Sequence, residues 1–84
     1  MRLILFHRIG NDGADSAEVR RFIVQNGLED LVEFKNLDYE SARTDLLELT
    51  GTVEAPVFIA EAKILRGKAA IIDWLKTNIL CLRD

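Results

Sequence analysis

The strongest constraint on this chain is a repeated change of period. Apolar runs too short for a helix alternate with stretches striped at helical spacing. Leu3-Ile4-Leu5-Phe6 is continuous and predicts a strand buried on both faces. After a turn cluster at Gly10 to Gly13, Asp15 and Glu18 stand at capping-box spacing. A helix over Ala17 to Asn26 then carries Val19, Phe22, Ile23 and Val24, with Gly27 as its left-handed stop. Val32-Glu33-Phe34-Lys35 alternates ahead of Leu37 and predicts a second strand. Ser41 to Thr50 places Ala42, Leu46 and Leu49 on one stripe and stops at Gly51. Val57 to Ala60 predicts a third strand, entered through Pro56, and Ile64-Leu65 a short fourth one paired with it across Glu61-Ala62-Lys63. Lys68 to Leu82 spaces Ile71, Ile72, Leu75, Ile79 and Leu82 as an amphipathic helix.

The order is βαβαββα, and it restricts topology. The first two strands, joined through a helix, are expected parallel with a right-handed crossover. A hairpin then adds two more strands. A four-stranded mixed sheet of order 2-1-3-4, with helices on both faces, buries every apolar stripe. Eighty-four residues, 49% of them hydrophobic, suit one domain over 1–84 with one continuous core.

Charge and cysteine content narrow the function classes. A net charge of −3 gives no general attraction for nucleic acid or an acidic membrane. Met1 to Phe6 is too short for a signal core or a membrane span. Cys81 is the single cysteine, so neither an internal disulfide nor a cysteine-based zinc cluster can form. The expectation is a cytoplasmic domain in reducing surroundings, either a monomer or a weak homodimer.

Three segments, in this order and spacing, carry a family resemblance across nearly the whole chain. Ser16-Ala17-Glu18-Val19-Arg20 through Gly27-Leu28 resembles the first helix of the glutaredoxins and of the N-terminal domain of glutathione transferases. Glu54-Ala55-Pro56-Val57 resembles their cis-proline turn, and Leu65-Arg66-Gly67 through Leu75 their last strand and helix. The resemblance implies a thioredoxin-like, glutaredoxin-type α/β fold. It also implies that Ala55–Pro56 is cis, although X–Pro bonds in folded proteins are cis in only about 5–6% of cases. Read without the resemblance, Pro56 would be a trans proline starting an edge strand.

In the resembled families a thiol or hydroxyl sits before the first helix, where free backbone N–H groups stabilise a thiolate. Counting back from Gly27 places Gly13 at the nucleophile and Ser16 at the second cysteine of a C-x-x-C pair. No register of Gly10 to Ser16 supplies a cysteine. Thiol–disulfide exchange requires an attacking thiolate, so the ordinary chemistry is missing. Ser16 could hydrogen-bond a bound glutathione thiolate. Against that, Asp12 and Asp15 bring negative charge there, and Asp15 is expected to cap the helix itself, leaving Ser16 an ordinary first-turn residue.

For glutathione, the resemblance implies a basic residue before the loop, matched by Arg8, and a pre-proline backbone contact, matched by Ala55 beside Pro56. It also implies an acidic or hydroxyl-bearing turn at the last helix. Gly67-Lys68-Ala69 departs from that turn, and Lys68 is either an anion contact or a solvated lysine. His7 is a general base in one reading and a structural strand-end histidine in the other. Asn11 to Asp15 lacks the spacing and terminal glutamate of a calcium loop. Trp74, Asn78 and Cys81 share a flank that is either a dimer surface or a satellite of the core.

Two readings follow. The first is a redox-inactive binding module that uses the groove beside Pro56 for a peptide, small anion or protein partner, with no cofactor or metal. The second is a glutathione-dependent enzyme, transferase-like or thiol-redox, assisted by Ser16 or His7.

Overall fold

The computed structural model describes residues 2–10 and 13–81. Its elements are β1 (Leu3–His7), α1 (Ala14–Gln25), a 3-10 turn (Glu29–Leu31), β2 (Val32–Asn36), α2 (Glu40–Thr50), β3 (Val57–Ala60), β4 (Lys63–Arg66) and α3 (Lys68–Leu75). The last helix runs on through a π segment, Lys76–Leu80. The sheet has the expected order β2-β1-β3-β4. β1 is central, parallel to β2 and antiparallel to β3, and β3 and β4 form an antiparallel hairpin.

Successive residues of a strand face opposite sides of its sheet, so the apolar runs of β1 and β3 feed two cores. Leu3, Leu5, Phe58 and Ala60 pack with Val19 and Ile23 of α1 and Ile71, Leu75 and Ile79 of the last helix. Ile4, Phe6, Val57 and Ile59 pack under Ala42 and Leu46 of α2. Helices therefore cover both faces, which is why β1 and β3 have no polar alternation. α1 ends as expected: Gly27 has φ +68°, its N–H donates to Val24 O, and Leu28 N–H donates to Ile23 O. This pair of bonds is the Schellman pattern, and Leu28 is buried beside it.

Three local expectations change. α1 begins at Ala14, before the expected start, so Asp15 lies inside the first turn and Gly13 is the N-cap residue. Val24 and Leu49 are exposed rather than on the buried stripes. Leu49 instead borders an open groove of about 350 Å³ whose floor includes Ile4 and Ile59. On the last helix Trp74 packs against the core, its ring 5.7 Å from that of Phe58. That flank is a satellite of the core, with Cys81 exposed beyond it. Asn11, Asp12 and Leu82 lie outside the described residues.

Candidate functional site

β1 delivers its chain to a short loop that must turn back into α1, and backbone contacts fix how it turns. Gly13 N–H donates to Gly10 O at 3.0 Å. Gly13 also lies so close to the Arg8 carbonyl that any Cβ there would collide with the oxygen. Glycine is therefore required by close backbone approach. Arg8 N–H donates to Ser16 Oγ at 3.1 Å, and Arg20 Nη1 donates to Arg8 O at 2.8 Å. One turn of α1 thus grips both polar groups of the Arg8 backbone. Ser16 is only 1% exposed, so its hydroxyl serves the loop and does not face the surface.

Arg20 also defines the chemistry of His7. Its Nη1 lies 3.1 Å from His7 Nδ1. A guanidinium only donates, so Nδ1 accepts, and the neutral ring carries its proton on Nε2. Burial lowers the His7 pKa below its usual value; the Arg20 charge adds to this and Asp38 opposes it. The ring also stands edge-on to Phe34 at 5.9 Å. His7 is consequently a neutral structural imidazole held from one side. Sequence reasoning did not single out Arg20, although it stands one helical turn after Ser16 and so shares its face.

The start of α3 closes on the start of α1. Lys68 Nζ lies 3.1 Å from Glu18 Oε1 and 3.5 Å from Asp15 Oδ1. These two acids raise the Lys68 pKa, the Glu18 hydrogen bond contributing most, then the Glu18 charge, then the Asp15 charge. The expected capping box is therefore absent. Asp15 has no free cap position to fill, and both carboxylates turn to a lysine on another helix.

Ala55–Pro56 is cis. Pro56 O accepts from Gly67 N–H at 3.1 Å, placing the proline turn beside Gly67-Lys68. Arg66 Nε meets Glu54 Oε1 at 2.7 Å along the same rim. Among the described residues nothing hydrogen-bonds the backbone N–H or C=O of Ala55. The structure thus brings Arg8, Gly13, Ala55, Pro56, Gly67 and Lys68 to one end of the sheet, with Ser16 beneath.

No family model matches the sequence, and no curated protein matches it. Among solved structures, the crystal structure of a buckwheat glutaredoxin–glutathione complex matches with a TM-score of 0.66. The match covers 95% of this chain and 73% of that one, at 20% identity. The fold is glutaredoxin-like. At this identity the likeness is one of architecture.

Within this glutaredoxin-like domain the turn before α1 holds no thiol. Cys81 belongs to the far end of the last helix. Among the described residues no group of three or more His, Cys, Asp or Glu side chains could hold a metal ion. No helix among them is long and apolar enough to cross a membrane.

Proposed function

We propose that this glutaredoxin-like domain is a binding module without thiol chemistry, and that its Ala55 edge takes an extended polypeptide segment. The observation that carries the reading is the turn into α1: no cysteine stands there, and its one hydroxyl, Ser16, is buried against the Arg8 backbone. Nearby, the open donor and acceptor of Ala55 suit main-chain pairing, which is independent of the side chain at that position. A small anion fits the same rim less well. Lys68 is already shared by two carboxylates, and Asp15 adds negative charge to the helix start. The exposed single thiol agrees with a cytoplasmic, reducing setting.

Glutathione is the competing ligand, because the matching glutaredoxin is a glutathione complex. Amide shift mapping separates the two. Peptides selected on the immobilised domain should shift Ala55 and Gly67 saturably, while reduced glutathione leaves Gly13 to Ser16 unmoved. Saturable glutathione shifts at Gly13 to Ser16 would overturn the reading. A glutathione-coupled disulfide-reduction assay should also show no turnover above background, with or without Cys81→Ser.

A further inference from the structure

Strand register sets what the α2 face of the sheet presents. Leu3 and Leu5 of β1 pack with α1 and the last helix, so Ile4 and Phe6 point to α2. Ile4 pairs with Glu33 of β2 and Ile59 of β3, and Ile59 with Ile64 of β4. One row across this face therefore runs Glu33, Ile4, Ile59, Ile64. Two helices cover the opposite face, whereas among the described residues α2 alone packs on this one. It leaves the row partly uncovered. Ile64 is 36% exposed, and Leu49 on the flank of α2 is 51% exposed. The groove of about 350 Å³ lies between α2 and these strands, with Ile4, Phe6, Ile59 and Leu49 as its apolar lining.

The charged lining divides into engaged cations and an unengaged acid. Arg2, Lys35, Asp45, Glu48 and Glu61 border the groove, three acids to two cations. Both cations already face carboxylates. Lys35 Nζ meets Asp45 Oδ2 at 2.6 Å, and Arg2 Nη2 meets Glu33 Oε2 at 3.5 Å. Glu61 Oε1 accepts from Arg2 N–H at 3.2 Å, which fixes that carboxylate at one end of the groove. Glu48 stands three positions after Asp45, on the same face of α2. Among the described residues it makes no hydrogen bond or ion pair.

We propose that this groove binds a small organic amine, its ammonium paired with Glu48 and its apolar body laid on Ile4, Ile59 and Leu49. The site is separate from the Ala55 edge, since none of Ala55, Pro56, Gly67 and Lys68 lines it. Charge selects the cation. An anion would have to draw Lys35 or Arg2 from its carboxylate and would meet Glu48 beside it. An ammonium gives Glu48 a partner and displaces none. Size selects a small molecule, because the volume lies at the low end of ligand pockets, which run from about 300 to 1,000 Å³.

The full chain should be titrated with hexylammonium, butylammonium, hexanol and hexanoate at low, matched ionic strength, reading the methyl groups of Ile4, Leu49 and Ile59 by NMR. Saturable shifts centred on these methyls are expected with hexylammonium. Butylammonium should bind more weakly, because it lays less apolar surface on the groove floor. Hexanol should bind about three- to fivefold more weakly than hexylammonium, the usual effect of one exposed ion pair, and hexanoate more weakly still. Glu48→Gln changes an exposed side chain and should remove most of the difference between hexylammonium and hexanol. Raising the protein concentration without ligand should leave the methyls unmoved. The proposal is overturned if hexylammonium does not saturate, if its shifts centre on Ala55 and Gly67, or if butylammonium or hexanoate binds as tightly. It is equally overturned if Glu48→Gln in a folded domain keeps the full difference. Methyl shifts on concentrating the protein alone would seat a second copy in the groove, and would overturn it too.

Discussion

α1 and α2 start at the same end of the sheet, because each follows one of the two parallel strands. Both present unpaired N–H groups and the positive end of a dipole. At α1 that potential is closed off. Gly13 presses on the Arg8 carbonyl, Ser16 is buried under the loop, and Asp15 with Glu18 holds Lys68 of the neighbouring helix. At α2 the first turn carries Glu40, and among the described residues no lysine of another helix is drawn to it; a cavity lined by Tyr39, Ser41 and Ala42 lies in front. The same backbone physics thus gives a joint tied to a neighbouring helix in one place and an untied helix start in the other. What differs is the set of side chains that reach each terminus.

The difference can be broken most forcefully at Gly13. Gly13→Val would drive a side chain into the Arg8 backbone, which cannot swing aside as a flexible side chain would. Destabilisation at the upper end of about 1–3 kcal/mol is expected, read as a lowered denaturant midpoint. A midpoint equal to the parent's would mean that the loop is free to move and that α1 is not closed. Ser16→Ala comes next. It strips the part-buried Arg8 N–H of its acceptor and should cost about 1–2 kcal/mol. Rescue by Ser16→Thr would tie the loss to the hydroxyl; a neutral Ser16→Ala would free Ser16 for a ligand role.

Why the two termini differ was only partly legible in the sequence. β1 and β3 were readable because burial on both faces leaves uninterrupted apolar runs, and Gly27 and Gly51 marked their helix ends through the left-handed conformation each adopts. The start of α1 was misread for a physical reason. Asp15 and Glu18 have the local spacing of a capping box, but their partner is Lys68, 50 positions beyond Glu18. A local pattern carries no information about such a partner. Leu49 fits the α2 stripe, yet it is exposed because it borders an open groove rather than the closed core. The cavity before α2 takes its walls from two strands and a helix start, so no single segment announces it.

His7 accepts from Arg20 of α1 at Nδ1 and is one of the residues that line the cavity before α2. Its folded-state pKa lies below the unfolded value of about 6.5. As pH falls, the unfolded chain therefore takes up this proton first. The stability that neutral His7 contributes is fully present above that value. It is lost as pH drops from there towards the folded-state pKa. Denaturant midpoints measured across this window should fall with acidification in the parent and fall less in His7→Phe. Equal slopes in the two proteins would place His7 in water.

The smallest effect is expected at Asp15, where a helix cap would have predicted a larger one. Losing an N-cap acid costs about 0.5–2 kcal/mol. Asp15 instead lies inside the first turn, more than half exposed, and is the more distant of the two acidic contacts of Lys68. Asp15→Ala should accordingly change stability by about 0.5 kcal/mol at most, as for an ordinary surface substitution. Lys68 supplies the finer test. Glu18 contributes most to its raised pKa, through both a hydrogen bond and charge, and Asp15 contributes less. An NMR titration of the Lys68 side chain should therefore show a larger downward shift in Glu18→Gln than in Asp15→Asn. The reverse order, together with a lowered midpoint in Asp15→Ala, would return Asp15 to the cap. α1 would then be closed by its own acid, and Lys68 would be free to meet an anion.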